Sequence, residues 1–553
     1  MQEIGVTGII LGAGKVDPGL APVFGNIPSS LIPINGKPSI FYILDHFIQN
    51  GISRVYISVG FGRDKVLELV SLKYGKKMDL RFIDVDYQTK PGCSLLRLIE
   101  SAIADGINGT LCANLADTLV EFDQPYRLLA GKDFVVASKN YDLSDRWCVV
   151  AGDQIGNVHE IYDKVTGKEG LYALIGFYNF SDACALRRIA DELHARESLE
   201  ISEILTRYIE QGRPLSIVQP KKWYDLGHLD NYYNARLNFL VSRSFNRFQY
   251  NSLTGTITKH SKNGAKLRDE ILWLLNIPKE ISALAPRILS YDMNETDAFV
   301  EMEYYGYSPL SELWIYGDLS EQVWKLVISK LMQIVNMLQK YPSRLTIEDY
   351  RSMCINKPLE RIASAKRGSN ILERLFQEDP LIINGKKYSG WPTLEPDFRE
   401  YCSCIASKAD QCLIHGDLCF SNILFDQKSG IIRLIDPRGN WGTSSVYGDI
   451  KYDIAKLRHS ICGAYDYIIN DLFESSVNGN SIRYQLTPMP SYQMKVSSIF
   501  DEIVQRRWNL NHIKYLEGSL FLSMLPLHAE SQERQLAMFA TGITRLNEIL
   551  PNV

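Results

Sequence analysis

The chain has 553 residues and a formal net charge of -4, from 60 basic and 64 acidic side chains. That balance gives no electrostatic reason to expect a nucleic-acid partner, and no apolar run is long enough to span a membrane. Ten cysteines lie scattered without C-x-x-C pairs, and Glu3 stands where a signal peptide would be basic, so reduced thiols and a cytoplasmic location are expected.

The length suggests two to four domains, with no repeat or low-complexity tract. Gly5 to Leu11 reads as a short apolar strand running into Gly12, Ala13, Gly14 and Lys15. Glycines there let backbone amides approach a phosphate, and the lysine adds charge. The G-x-G-x-x-G fingerprint fails, because Asp17 stands where its third glycine belongs. A helix is predicted from Pro38 to about Gln49, stopped by Gly51, followed by a strand from Val55 to Val59. Strands and helices alternate to about Ala137, the pattern of an α/β domain with a mostly parallel sheet that binds ligands at its strand ends.

Three more segments complete this half: L-I-P-I-N-G-K-P (Leu31 to Pro38), N-L-A-D-T ending in Asp117 and Thr118, and W-Y-D-L-G around Asp225. With the glycine loop they resemble the sugar-phosphate nucleotidylyltransferases and their cytidylyltransferase relatives, over roughly residues 5 to 240. The resemblance implies a Rossmann-like nucleotidyltransferase domain of the GT-A-like kind. It implies that Asp117 and Asp225 hold Mg2+ against a triphosphate and that Gly92 contacts the base. Lys164 would grip the phosphate of the incoming substrate, with Gly176 near the sugar. The sequence departs from the family at one point: Ser29 occupies the position of a conserved lysine that stabilises the triphosphate. Loss of one such donor costs about 2.7–4 kcal/mol of barrier. Lys15 or Lys90 could substitute, or the site binds without turnover. A glycosyltransferase is the competing reading, because Asp84-Val85-Asp86 forms a D-x-D in an expected strand.

The α/β pattern fades after a helix near Asp230 to Ser242. A new strand pair is predicted from Phe245, turning at Ser252 to Gly255 and alternating through Thr256 to Lys259. A helix follows from Ala265 to Leu275, carrying Glu270, and a strand from Phe299 to Tyr304. From Ser320 to Ala409 the chain reads as helical, interrupted by Pro392 and Pro396.

Leu413 to Gly439 carries the strongest signal. His415-Gly416-Asp417 precedes Asn422 on one short loop, and a hairpin turning at Ser429-Gly430 brings Asp436 back to the same end. ATP-dependent phosphoryl transfer asks for this set: one group to orient the acceptor hydroxyl and take its proton, and a carboxylate and an amide oxygen to hold magnesium. Asp417 takes the first role, Asn422 and Asp436 the second. The stretch resembles the aminoglycoside phosphotransferase and choline kinase family, as do Tyr447-Gly448-Asp449 and the run Tyr452 to Leu457. That resemblance implies a bilobal protein-kinase-like α+β domain, in which Lys259 contacts the ATP phosphates and Glu270 pairs with it. Ser252 and Gly255 would then lie on the nucleotide loop, and main-chain groups of Glu303 and Tyr304 would hold adenine. Tyr388, Trp391, Trp441 and Tyr447 could cage a choline-like cation. The tail from Ser498 to Leu550 reads as amphipathic helices.

The expected organisation is a nucleotidyltransferase-like domain over 1–240, a small lobe over 241–305 and a mostly helical large lobe over 306–553. The expected function is bifunctional. The second half phosphorylates a small sugar or alcohol with ATP, and the first transfers a nucleotidyl group from a second NTP, CTP or UTP, to that phosphate. Pyrophosphate leaves, Mg2+ serves both steps, and by family analogy the product is a precursor of surface polysaccharide. The alternatives are a kinase with a non-catalytic nucleotide-binding first domain, and a fused choline kinase and phosphocholine cytidylyltransferase. Oligomeric state, including a homo-oligomer, is left open.

Overall fold

A computed structural model describes residues 5–550 apart from 124, 125, 127, 128, 130, 142–145, 165–169, 195, 197, 240–245, 295, 296, 443 and 488. The chain divides into two compact units, residues 1–239 with 316–318 and residues 240–315 with 319–553. Phe245 and the expected domain boundary at 240–241 fall outside the described residues. No helix among the described residues is long and apolar enough to cross a membrane.

The first unit is built on a nine-stranded sheet. Val6–Leu11 lies at its centre, parallel to Arg54–Val59 on one side and to Thr110–Leu115 on the other, with Asp79–Asp84 beyond. This strand is buried on both faces, as its apolar run requires. Ser39–Gln49 buries Ile40, Phe41, Ile43, Leu44 and Phe47. A Cβ on Gly8 would sit 2.6 Å from the Phe47 ring, so glycine lets the helix seat on the strand.

The sheet is mixed rather than mostly parallel. Tyr172–Phe180 runs antiparallel to Thr110–Leu115 and also pairs with Phe134–Ser138 and Cys148–Gly152. Helix–strand alternation reports only the parallel portion; the later antiparallel strands pair across long sequence separations that local pattern does not encode. A separate pair, Thr118–Glu121 with Lys222–Asp225, stands beside it.

The second unit opens with a four-stranded antiparallel sheet in the order Asn246–Asn251, Thr256–Ser261, Ala298–Glu303, Ile288–Asp292. The helix Gly264–Asn276 packs Leu267 and Ile271 against Ile257, Val300 and Met302. Alternation along Thr256–Ser261 turns Lys259 to the same inner face as Ile257.

The rest is largely helical, with corrections to the expectation. Pro392 and Pro396 do not interrupt: Trp391–Ser407 is one helix, with Pro392 in its first turn, where no intrahelical N–H is needed. Four short strands, Leu381–Ile383, Lys386–Tyr388, Phe473–Asn478 and Ser481–Leu486, form an unforeseen sheet from segments about 100 residues apart. In the tail, Leu510–Met524 is not amphipathic. Tyr515 to Met524 are all buried, because neighbouring helices cover it on several sides.

Candidate functional site

Two constellations stand out, one in each unit. In the second unit, Ile423–Asp426 and Ile431–Leu434 form the predicted hairpin. Its pairing continues one step further, the Ile435 N–H donating to the Asn422 carbonyl at 3.0 Å. Asp436 then adopts φ 54°, a left-handed conformation that Asp tolerates better than most residues. Its Oδ1 accepts from Lys259 Nζ at 2.7 Å, and the same ammonium donates to Glu270 Oε2 at 2.7 Å.

The Lys259–Glu270 pair is buried, with side chains 4% and 5% exposed. Burial disfavours the Lys259 ammonium, but Asp436 and Glu270 outweigh it and hold the group above its ordinary value. Burial pushes Glu270 up to about 7, against the pull of Lys259. Lys259→Met would strand a buried carboxylate, and the expected cost in urea unfolding at pH 8 is about 3–5 kcal/mol. The cost should be smaller at pH 6, where Glu270, its pKa raised further, takes up a proton. An unchanged unfolding midpoint at both pH values would overturn this account.

The loop before the hairpin is held from two sides. His415 is fully buried; its Nε2 donates to the Ile435 carbonyl at 3.1 Å and its Nδ1 accepts from the Asp417 N–H at 3.3 Å. Burial lowers its pKa to about 4, so the ring is a neutral spacer. From the helix Ile450–Ile461, Asp453 accepts the N–H groups of His415 at 2.7 Å and Gly416 at 2.8 Å. Lys456, one turn on, pairs with Asp417 Oδ1 at 3.0 Å. Asn422 Nδ2 donates to Asp417 Oδ2 at 3.0 Å and to the Asp417 carbonyl at 2.9 Å. That leaves Asn422 Oδ1, with only a 3.5 Å contact from Ser421, as an outward acceptor.

The predicted Lys259, Glu270 and Asp436 therefore form one ion-paired set and Asp417 and Asn422 a second, joined through the backbone bond from the Ile435 N–H to the Asn422 carbonyl. Other expected residues are placed differently. The N–H of Glu303 donates to the Arg287 carbonyl at 3.1 Å and that of Tyr304 to the Gly255 carbonyl at 3.0 Å, so neither donor is left for adenine. At the Ser252–Gly255 turn, the Asn251 side chain accepts from Leu253 and Thr254, and the Gly255 N–H donates to the Asn251 carbonyl. Three of the four aromatic residues pack apart from one another. Trp391 packs with Phe376 and Phe398, Trp441 with Tyr350 and Tyr452, and Tyr388 has Lys386 over its ring.

In the first unit, the carbonyls of Ala13 and Gly14 accept the N–H groups of Phe61 and Ser29, both at 2.9 Å, and the Gly12 N–H donates to Ser58 Oγ at 3.0 Å. Among the described residues the N–H groups of Ala13, Gly14 and Lys15 donate to nothing. Three successive amides without partners suit a phosphate. Ser29 is buried at the mouth of this loop, its Oγ 3.5 Å from where a Cβ on Gly14 would lie.

The strand pair carries Asp225 opposite Thr118, and the Leu226 N–H donates to the Asp117 carbonyl at 2.9 Å. A Cβ on Gly227 would lie 3.1 Å from Asp117 Oδ2 and 3.2 Å from Asp225 Oδ1, so both carboxylates converge on one point. Asp225 Oδ2 accepts from His228 Nδ1 at 2.6 Å and Asn231 Nδ2 at 2.8 Å. Burial pushes the Asp117 carboxyl up to about 6, with the Asp225 charge adding to the rise. Two converging carboxylates, one of them protonated more readily because of the other's charge, fit a divalent cation. No three of His, Cys, Asp and Glu converge among the described residues.

Between about pH 4 and pH 6 the folded protein keeps a proton on Asp117 that the unfolded chain has released. This group's contribution to stability therefore falls as pH rises through that window. Asp117→Asn should remove the fall, gaining on the parent by on the order of 2 kcal/mol at pH 7 without added metal. Thermal unfolding at pH 4 and pH 7 measures this; an equal gain at both would exclude the carboxylate pair as its source.

Lys164, at φ 52°, and Lys90 both reach Glu200 Oε1, at 2.9 and 3.0 Å. Lys15 is exposed, its Nζ 5.4 Å from the Phe61 ring centre. Gly92 has a packing reason to be glycine, since a Cβ would lie 2.3 Å from the Leu199 carbonyl. Gly176 has φ 86° and lies against Leu115. The D-x-D pair separates: the strand ends at Asp84, which bonds Arg63 Nε at 2.5 Å, while Asp86 caps a turn through the Gln88 N–H.

Sequence reasoning assigned no role to Asp453, Lys456, Arg438, His228, Asn231 or Glu200. The Y-D-x-x-K spacing on one helix was the available signal for the first two.

Residues 7–241 match the family model "Nucleotidyl transferase". The chain is 23% identical over 230 residues to a UTP–glucose-1-phosphate uridylyltransferase of Haloferax volcanii, covering 40% of this chain and 90% of that protein. It is 27% identical over 238 residues to a glucose-1-phosphate thymidylyltransferase of Neisseria gonorrhoeae, covering 41% and 80%. Against the bifunctional protein GlmU of Methanococcus maripaludis the identity is 23% over 257 residues, 45% of this chain and 59% of the relative's length. A solved glucose-1-phosphate thymidylyltransferase from Bacillus anthracis aligns with a TM-score of 0.36 at 21% identity, over 42% of this chain and 94% of that one. The N-terminal part is a nucleotidyl transferase domain of Rossmann-like fold.

Proposed function

We propose that the chain carries out two consecutive reactions. The second unit, with lobes over 241–305 and 306–553, phosphorylates a hydroxyl group of a small sugar or alcohol with ATP. The N-terminal domain joins the resulting phosphate to a nucleotide from a second NTP, releasing pyrophosphate. The observation that carries the kinase half is the ion-paired set Glu270–Lys259–Asp436 at the end of the hairpin that also holds the Asn422–Asp417 pair. The transferase half rests on the family match and on the convergence of Asp117 and Asp225 near the open amides of Ala13 to Lys15.

Asp417 orients the acceptor hydroxyl, whose oxygen attacks the γ-phosphorus. The bond from that phosphorus to the β,γ-bridging oxygen breaks, ADP leaves with its electron pair, and the hydroxyl proton passes to Asp417 Oδ. Lys259, fixed by Glu270, binds α- and β-phosphate oxygens. Asn422 Oδ1 and Asp436 would hold magnesium in one unit and Asp117 and Asp225 in the other; when bound, the ion neutralises phosphate charge. In the first unit the amides of Ala13, Gly14 and Lys15 cradle the NTP phosphates, and Lys164 and Lys90 draw the substrate phosphate.

The relatives' names favour a sugar 1-phosphate as phosphate substrate and UTP or dTTP as donor, while CTP rests on the sequence resemblance to cytidylyltransferases alone. A cytoplasmic enzyme making an activated precursor of surface polysaccharide is the matching role, by analogy. A second reading, a kinase with a non-catalytic first domain, is favoured by Ser29, which places a hydroxyl where an ammonium would face the triphosphate. Two screens of the full chain with magnesium separate them: ADP release from ATP across free alcohols and sugars, and pyrophosphate release from each NTP across their phosphates. Pyrophosphate release with one pair supports the two-step enzyme. ADP release without pyrophosphate in any combination supports the second reading, and neither product would overturn both.

A further inference from the structure

Beside Asp417 the second unit gathers cations that the reaction as described does not use. Lys357 and Arg361 lie one turn apart on the helix Lys357–Gly368 and line a small recess together with Tyr452. Arg438 lies with its guanidinium 5.2 Å from the Tyr452 ring centre and donates to the Tyr452 hydroxyl at 2.9 Å. Its own Cβ packs 2.8 Å from where a side chain on Gly416 would begin, next to Asp417. Lys456, on the helix of Tyr452, completes the group on Asp417 itself.

One basic side chain therefore pairs with Asp417 directly, and three more lie close enough to feel its charge. Lys456 has Asp417 as its partner. The other three have no ion pair among the described residues: Lys357 reaches only the Met353 sulfur at 3.9 Å, Arg361 the Ser523 carbonyl at 3.2 Å, and Arg438 the Tyr452 hydroxyl. Asp453, the other carboxylate close by, is spent on the His415 and Gly416 amides. Unpaired, half-buried cations raise one another's cost. Burial, then Arg438, Arg361 and Lys456, bring Lys357 down to about 7. Such a group is relieved by an anion. The arrangement also repels a quaternary ammonium, which agrees with the separate packing of Tyr388, Trp391 and Trp441.

We propose that the phosphate acceptor of this site is itself an anion, a hydroxy compound bearing a carboxylate or phosphate that Lys357, Arg361 and Arg438 hold while its hydroxyl faces Asp417. This inference rests on the kinase reading of the second unit for the chemistry, though not for the binding. The product is a phosphate monoester that retains the acceptor's original negative group, with ADP and one proton released.

The test has a turnover arm and a binding arm, both on the full chain. ADP release is measured with matched acceptors: glycerol, choline, glycerate and glycerol 3-phosphate, then glucose against glucuronate. The anionic members should show kcat/KM at least about tenfold above the neutral and cationic ones. Glycerate against glycerol 3-phosphate tells carboxylate from phosphate. Turnover of a neutral or cationic acceptor at equal or greater kcat/KM would overturn the inference and leave the kinase reading standing.

Calorimetric titration of glycerate and glycerol 3-phosphate without ATP reads the pocket alone. Binding that weakens at least about tenfold in Lys357→Met/Arg361→Met, in a variant with the parent's unfolding midpoint, supports the inference. The single variant Lys357→Arg, which keeps the charge, should retain most of the affinity and covers the case in which the double variant fails to fold. No binding, or binding indifferent to these changes, would overturn it. Anion binding without ADP release from any acceptor would instead overturn the kinase reading alone.

Discussion

Asp417→Asn should lower ADP release from ATP and acceptor by about 10²–10⁴-fold, the span that a positioned acid–base group contributes. The size follows from what the carboxylate does and what the amide cannot. Asp417 presents one oxygen to Asn422 Nδ2 and the other to Lys456, so its orientation is set before any substrate arrives. Burial works to raise its pKa, but the charges of Lys456 and Arg438 outweigh burial and hold the carboxyl well below the ordinary carboxylate range. A carboxylate so stabilised is a weak base. It suits a loose phosphoryl-transfer transition state, in which the hydroxyl must be aligned early and its proton moves late.

A pH consequence follows. The folded pKa lies below that of the unfolded chain, so the charged form and its stabilising contribution persist down to strongly acidic pH. The rate should therefore show no acid limb from Asp417 between pH 5 and pH 8. Steady-state rates across that range check this; a limb near pH 5 that Asp417→Asn abolishes would contradict the Lys456 and Arg438 account. Near-parent turnover in the variant would remove Asp417 from the reaction altogether.

Asp117→Ala should lower pyrophosphate release by about 10²–10³-fold, comparable to the loss of a transition-state charge stabiliser. Asp117 and Asp225 converge on one point, and Asp225 alone is tied to Gly227, His228 and Asn231. Removing Asp117 leaves a single carboxylate already committed to three donors, a poor holder for a divalent ion. ADP release by the other unit should stay at the parent's rate. Measuring both products from one preparation decides the matter, since equal loss of both would mean that the two reactions are not separable.

Much of the second unit's site was legible because its parts are close in sequence. Asp417 and Asn422 share a loop, and a hairpin of ordinary length returns Asp436. Lys259 and Glu270 are eleven residues apart on a strand and the helix that covers it. In the first unit, a glycine loop after an apolar strand marked the candidate phosphate cradle, and the family resemblance pointed to the strand-end Asp117 and Asp225 as the candidate cation site. The loops, strands and turns follow from short-range rules of turn, period and strand end, while the roles of Lys259, Glu270, Asp117 and Asp225 came from the family resemblances.

What the sequence by itself determined is thus the local inventory: the elements, the loop carboxylates and the glycine cradle. Tertiary structure alone decided which charges meet. The helix Ile450–Ile461 is buried at every position, so no polar face announces that Asp453 and Lys456 serve the loop. Lys357 and Arg361, four residues apart in a stretch read only as helical, gain a role once packing sets Tyr452, and with it Arg438, beside them. Glu303 and Tyr304 read as a free hinge until strand pairing takes up both amides. Likewise the parallel centre of the first sheet was visible and its antiparallel flank was not, because that pairing joins residues far apart in the chain. The reason is common to all four: a side chain's partner is fixed by which surface is buried against it, and burial of a helix or strand face is a property of the whole packed unit.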